Sequence, residues 1–230
     1  MIRFLTLIIC LPFLFAFNFS PMSQTIEVEG KRNGAQFLIE NDSSTNIAVE
    51  LTVKSRQMNE NGEETLSDTK EVTIFPPQII IPPNEKRTVR VTYNVKDVPE
   101  TEKSYRVIAE QLPLKVDEKT KNEAGIKMLM KYVAALYAAA PNTKSGVKLL
   151  SHASDGKEMK LVLENKGQRH QLINNPIIKY LSLDKKVELK SQDLPGLSGE
   201  NVLAGHKRIF RVKTSKTIPQ DAKVELKIND

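Results

Sequence analysis

Few side chains of this sequence could carry covalent chemistry, and their spacing fits no catalytic pattern. The three histidines, His152, His170 and His206, all fall in the second half, and Cys10 is the sole cysteine. HExxH, GxSxG and P-loop patterns are absent, so zinc hydrolysis, serine nucleophiles and nucleotide handling have no candidate residues. The adjacent carboxylates Glu63-Glu64 and Asp117-Glu118 lie in polar tips, where solvation is their ordinary role. The chain therefore reads as a non-enzyme without cofactor or metal. What chemistry it offers is non-covalent and is concentrated in Ile126 to Leu136, IKMLMKYVAAL. As a strand, one face carries Ile126, Met128, Met130, Tyr132, Ala134 and Leu136, and the other Lys127, Leu129, Lys131, Val133 and Ala135. A strand at the edge of a sandwich needs one apolar row and one polar row. Two largely apolar rows call for a second core, which another protein can supply. Two alternatives stand beside this. Met, Leu, Lys and Ala favour helix, most of all in AALYAAA, and a strand can be buried on both faces within its own domain.

The elements around this stretch are β-strands. With 230 residues, 27% of them charged and 40% hydrophobic, the chain is globular with one or two domains. Its net charge of +6 is spread among acidic residues, and it has no Trp, which argues against a nucleic-acid partner. Residues 1–19 read as a secretory signal: Arg3 precedes Phe4 to Phe17, an uncharged run too short to span a membrane. The expected product is exported, not an integral membrane protein. It keeps no cysteine, so a hydrophobic core must hold it together.

Period-two alternation recurs at Ile26 and Val28, Phe37 and Ile39, Ile47 to Val53, Val72 and Ile74, Ile79 to Ile81, Val89 to Val95 and Tyr105 to Ala109. Asn59 to Thr65 reads as a hairpin tip with an Asn-Gly turn, and Lys115 to Gly125 as an exposed loop. AAPNTKSG, from Ala139, marks a linker. A second strand pattern then runs through Val147, Met159 to Leu163, Ile177 to Leu183, Val187, Phe210 and Val224 to Ile228. The expected architecture is all-β, with domains at 20–140 and 141–230, each a sandwich and the second the smaller.

The order of features resembles the periplasmic pilus-assembly chaperones of the chaperone-usher pathway, and specifically their archaic branch. The resemblance rests on Phe75-Pro76-Pro77 before IIIPPNEKRTVRVTY, on EKSYRV with Gln111-Leu112-Pro113, on Asn165-x-Gly167-x-x-His170, and on Ser20-Pro21-Met22 as a mature start. It implies two immunoglobulin-like β-sandwich domains set at an angle. It also implies donor-strand complementation, in which the last strand of the first domain lends apolar residues to a pilin-like subunit that is then delivered to an outer-membrane usher. Ile126, Met128, Met130 and Tyr132 fall where the donor residues should be, and two methionines suit a groove of variable shape. A chaperone of this kind can also pair weakly with a second copy through the same strand.

The family holds the subunit's terminal carboxylate with an Arg in the first strand and a Lys late in the donor strand. Here those positions are Ser23 and Ala135. Lys131 and Lys127 are the nearest substitutes, with Lys31 or Arg32 approaching from the first hairpin, although ordinary solvated charge explains all four. Glu102 matches the family's interdomain acid, and its Arg partner near Ala139 is missing. His170 is expected to be structural. The competing reading is an exported two-domain structural or adhesive β-sandwich protein of the cell surface, in which Ile126 to Leu136 is core or a self-association edge.

Overall fold

The computed structural model describes residues 17–30, 33–114, 128–183, 185–214 and 216–228. Its regular structure follows the period-two patterning. Among the described residues the one helical element is a single 3-10 turn, Ser191–Asp193.

The first sandwich contains β1 (Phe17–Ser20), β2 (Ser23–Glu27), β3 (Gly34–Asn41), β4 (Ile47–Met58), β5 (Glu64–Asp68), β6 (Val72–Phe75), β7 (Gln78–Ile81), β8 (Lys86–Tyr93), β9 (Lys103–Leu112) and β10 (Lys131–Ala139). One sheet runs β1-β3-β8-β6 and the other β2-β10-β9-β4-β5, with β7 pairing a separate part of β4. Their inward rows meet in one core: Phe37 and Ile39, Val49 and Leu51, Val89 and Val91, Tyr105 and Val107, Ala134 and Leu136. Asn41 is buried at the end of β3, and its amide is satisfied by the carbonyls of Thr45, Ile81 and Pro82.

Two sequence expectations need correction. Phe17 to Phe19, read as the end of the leader, form most of β1, which pairs antiparallel with β3. Both rings are buried, and Phe19 stacks on Phe37 at 5.1 Å between centroids. Phe17 to Phe19 are thus part of the described sandwich. Its opening Phe-x-Phe alternation is hidden because it continues the apolar run of the leader. Second, the strand expected over Ile126 to Leu136 occupies Lys131–Ala139. Ile126 and Lys127 lie outside the described residues. AALYAAA, with its helical propensity, is a strand because β10 pairs antiparallel with β9 over Lys131 to Ala138 and parallel with β2 over Ala135 to Ala139. Two ladders and a buried face override a weak local preference.

The second sandwich contains β11 (Val147–Ser154), β12 (Glu158–Asn165), β13 (Gln171–Leu172), β14 (Ile177–Ser182), β15 (Lys185–Leu189), β16 (Asn201–Val202), β17 (Lys207–Lys213) and β18 (Val224–Lys227). Sheets β11-β12-β17 and β15-β14-β18 enclose a separate core that includes Met159, Leu161, Leu163, Ile178, Phe210 and Val212. The β13-β16 pair is two residues long in each strand, too short to show a period. A small third cluster of Ala135, Tyr137 and Leu203, joined by Met58, connects the two sandwiches.

Candidate functional site

The first part of the site is the leading half of β10. Side chains on its inward row pass from solvent into the core as the strand proceeds. Met128, just ahead of the strand, is 64% exposed, Met130 and Tyr132 are partly buried against the core, and Ala134 and Leu136 are 0% exposed. Tyr132 closes this mouth: its ring meets Phe17 edge-on at 4.9 Å, and its hydroxyl donates to the Phe17 carbonyl at 2.5 Å. The outer edge of the same stretch is open among the described residues. The Ala135 N–H donates to the Met22 carbonyl at 2.9 Å, where β2 begins to cover β10. Alternation then turns the N–H and C=O groups of Lys131 and Val133 towards the same side. No strand among the described residues pairs with them there. An unpaired strand edge beside an incompletely covered apolar row is a template for an added strand.

The second part is the joint between the sandwiches, built by the Asn165-x-Gly167-x-x-His170 turn. Asn165 is buried; its Oδ1 accepts from the Gly146 and Gly167 N–H groups at 2.9 and 3.0 Å, and its amide donates to the Arg169 carbonyl at 2.7 Å. Gly167 is required by space, since a Cβ there would lie 2.4 Å from the Gly146 nitrogen and 2.5 Å from the Lys144 carbonyl oxygen. This turn delivers His170 to the first sandwich. The Glu102 carboxylate, buried with its side chain 1% exposed, accepts from the His170 N–H at 2.9 Å and lies 2.7 Å from Nδ1. The imidazole stacks on Tyr137 at 3.7 Å, and Asn201 donates to the Tyr137 hydroxyl at 2.7 Å. Burial pushes the Tyr137 phenol above its usual range, opposed in part by the Arg56 charge. An ion pair between Arg169 and Glu27 and a hydrogen bond from the Glu102 N–H to the Gln168 carbonyl, at 3.0 Å, complete the joint.

The third part is a cleft of about 340 Å³ beside that joint. Ser23 and Ala135, the positions where the family resemblance leads one to expect Arg and Lys, are direct ladder partners at its wall. Arg106 lies across the next ladder from Ala135. It grips Glu64 with two bonds, Nε to Oε2 at 2.9 Å and Nη2 to Oε1 at 2.5 Å. Arg56 and Arg208 line the same cleft. Burial raises the Glu64 carboxyl, but the Arg106 hydrogen bond and the charges of Arg56, Arg106 and Arg208 outweigh it and hold the group below the ordinary carboxylate range.

Of the substitutes named from sequence, Lys131 pairs with Glu110 at 2.7 Å on the open half of β10, four residues before Ala135. Lys127, Lys31 and Arg32 lie outside the described residues. Met128, Met130 and Tyr132 are brought together in one row, and Glu102 sits at the joint as described. No local spacing marks the arginines, which come from β4, β9 and β17. Arg208, held by Glu200 and the Asn201 carbonyl, comes from the second sandwich altogether.

A family model described as pili and flagellar-assembly chaperone, PapD N-terminal domain, matches residues 18–137. The archaic chaperone-usher CsuC-CsuE chaperone-tip adhesion subunit complex of Acinetobacter baumannii aligns with a TM-score of 0.63 at 18% identity, covering 92% of this chain and 97% of that one. The class 5 fimbriae chaperone CfaA aligns at 0.61 and 14% identity, covering 93% and 100%. A structure of the Salmonella enterica SafA pilin in complex with the SafB chaperone aligns at 0.58 and 15% identity, covering 87% and 85%. A comparison with curated proteins returns no match. At these identities the structural likenesses speak to the fold, two immunoglobulin-like sandwiches in sequence. The family match spans more than half of the residues and reaches every strand of the first sandwich, and on it the chain belongs to the pili and flagellar-assembly chaperones of the PapD type.

Proposed function

We propose that this protein is a periplasmic chaperone that lends the leading edge of β10 to pilin-like subunits and passes them to an outer-membrane usher. The observation that carries this is the gradient along one row, from fully buried Leu136 to largely exposed Met128, on a strand whose outer edge at Lys131 and Val133 is unpaired among the described residues. An incomplete subunit adding a strand there would extend the apolar core outwards, with backbone hydrogen bonds setting register and Met128, Met130 and Tyr132 filling its groove. Burying one such side chain contributes about 1.5–3 kcal/mol. The family membership and the solved complexes of similar chaperones with pilus subunits support the same reading. No nucleotide is needed, since packing supplies the driving force. A strand that is internal core along its whole length gives no account of an apolar row that runs out of its own core.

The test is co-purification of the mature protein from the periplasm with whatever it binds there, followed by mass determination of the complex. A one-to-one complex that disappears with Met128→Glu is expected. A folded Met128→Glu protein that still captures the subunit undiminished would refute the assignment of the donor row.

A further inference from the structure

The segment Ile177 to Leu183, IIKYLSL, is largely apolar on both rows of a strand. Ile178 and Tyr180 point into the core of the second sandwich. The opposite row, Ile177, Lys179 and Leu181, should be polar on a strand with one solvated face. Leu181 is instead 57% exposed, and Leu183, just past the strand, is 95% exposed with φ at +46°. A bulky side chain seldom adopts that left-handed backbone, and here almost none of its surface is buried in return. The donor-strand reading of β10 leaves this second apolar row unused.

Ladder register surrounds Leu181 with cations. Leu181 is the partner of Lys186 on β15. On its other side the β14–β18 ladder ends at Tyr180 and Val224, so Lys223 flanks Leu181 there. The three strands form a hollow of about 540 Å³ whose lining includes Lys179, Leu181, Lys186, Lys223 and Glu225. A leucine between two longer lysine stems leaves an apolar floor below a cationic rim. Lys179 is held by Glu188 at 2.7 Å, and Glu225 lies 3.7 Å from Lys227. Lys186 and Lys223 make no contact ion pair among the described residues. The whole domain shares this bias: residues 141–230 hold 17 Lys and Arg against 10 Asp and Glu, whereas residues 17–140 hold 16 against 18. Lysines on edge strands deter unwanted strand addition, which accounts for Lys186 and Lys223 but not for an exposed leucine on the central strand.

We propose that the outward face of β15-β14-β18 is a second interaction surface, which takes an acidic polypeptide segment by seating one of its apolar side chains on Leu181 between Lys186 and Lys223. Surplus positive charge selects an acidic partner, and a recessed apolar floor selects a protruding side chain. An anionic bilayer has no such side chain to place below the rim, so it would meet the ammonium groups and leave the floor uncovered. The surface uses no residue of β10, and the proposal does not rest on the donor-strand reading.

The test titrates the full mature chain at low salt with the capped peptide acetyl-Asp-Glu-Leu-Glu-Asp-amide, following the backbone amide resonances of residues 177–182 and 223–227 by NMR. Saturable shifts are expected, with affinity at least about fivefold lower when Lys186→Gln and Lys223→Gln are combined, the worth of two exposed ion pairs. The uncharged peptide acetyl-Asn-Gln-Leu-Gln-Asn-amide should bind more weakly by at least the same factor, as should the acidic peptide to Leu181→Ser. All three substituted side chains are exposed, so the variants keep the fold. Met128→Glu should leave the response unchanged, which separates failure here from failure of the donor-strand reading. No saturable shift, an equal response to the uncharged peptide, or an affinity unmoved by the paired lysine substitutions overturns the proposal. Binding to vesicles of three parts phosphatidylcholine to one part phosphatidylglycerol, with no response to the peptide, overturns it in favour of a lipid surface. Concentration-dependent shifts of the same resonances in the chain alone, with no response to the peptide, overturn it in favour of a second copy.

Discussion

Met128 and Leu136 lie on one row of one strand, yet opposite consequences follow from changing them. Leu136 is fully buried between the sheets, and Leu136→Ala should lower the stability of the isolated protein by about 2–5 kcal/mol, the usual cost of such a truncation. Met128 is 64% exposed, so Met128→Glu should change stability by no more than about 0.5 kcal/mol. Binding reverses the order of interest. With nearly two thirds of the Met128 side chain still in water, its burial in a partner has about 1–2 kcal/mol left to contribute. Placing a carboxylate in that groove without a partner costs about 2 kcal/mol or more besides. Their sum, about 3–4 kcal/mol, corresponds to a loss of affinity of at least about a hundredfold. Urea unfolding of each variant gives the first quantity, and titration of a co-expressed, refolded subunit gives the second. A Met128→Glu protein whose urea midpoint falls as far as that of Leu136→Ala would refute the reasoning, because the row would then be internal along its whole length.

Gly167→Ala places a methyl group against the backbone of residues 144–146, which cannot swing aside as a side chain can. It should destabilise the second domain by about 2 kcal/mol or more and loosen the joint made by His170 and Glu102, seen as a lower urea midpoint and a broader distance distribution in small-angle scattering. Acid should weaken the first sandwich through Glu71. Hydrogen bonds from Lys103 and then from Tyr105, at 2.5 and 2.6 Å, outweigh burial and hold its folded-state pKa below the ordinary 4.5. A carboxylate with a depressed folded pKa contributes stability that is present above its unfolded pKa and lost as pH falls through the folded value. Glu71→Gln should therefore flatten the decline of stability below about pH 4.5. An unchanged acid limb in urea melts would count against the pairing.

Much of the fold was legible in local pattern. Ile47 to Val53 and Val89 to Tyr93 alternate because each strand has one buried face, and Asn-Gly and Pro-Pro signals separate them. The same logic singled out Met128, Met130 and Tyr132 as a row with nothing in a single sandwich to absorb it. The limits of that stretch were not legible, because whether Ala134 to Ala139 is strand or helix depends on β9 and β2 standing on either side. Phe17 and Phe19 look the same in a leader as in a core; only pairing with β3 distinguishes the two. Sequence alone also determined that Ser23 and Ala135 carry no charge where the family resemblance leads one to expect Arg and Lys, since identity at a position needs no geometry. Which charges meet was decided by tertiary structure: Arg56, Arg106 and Arg208 are brought to one cleft by ladder register and by the contact of two domains. Neither leaves a mark in local spacing, because charges distant along the chain meet only once the chain has folded.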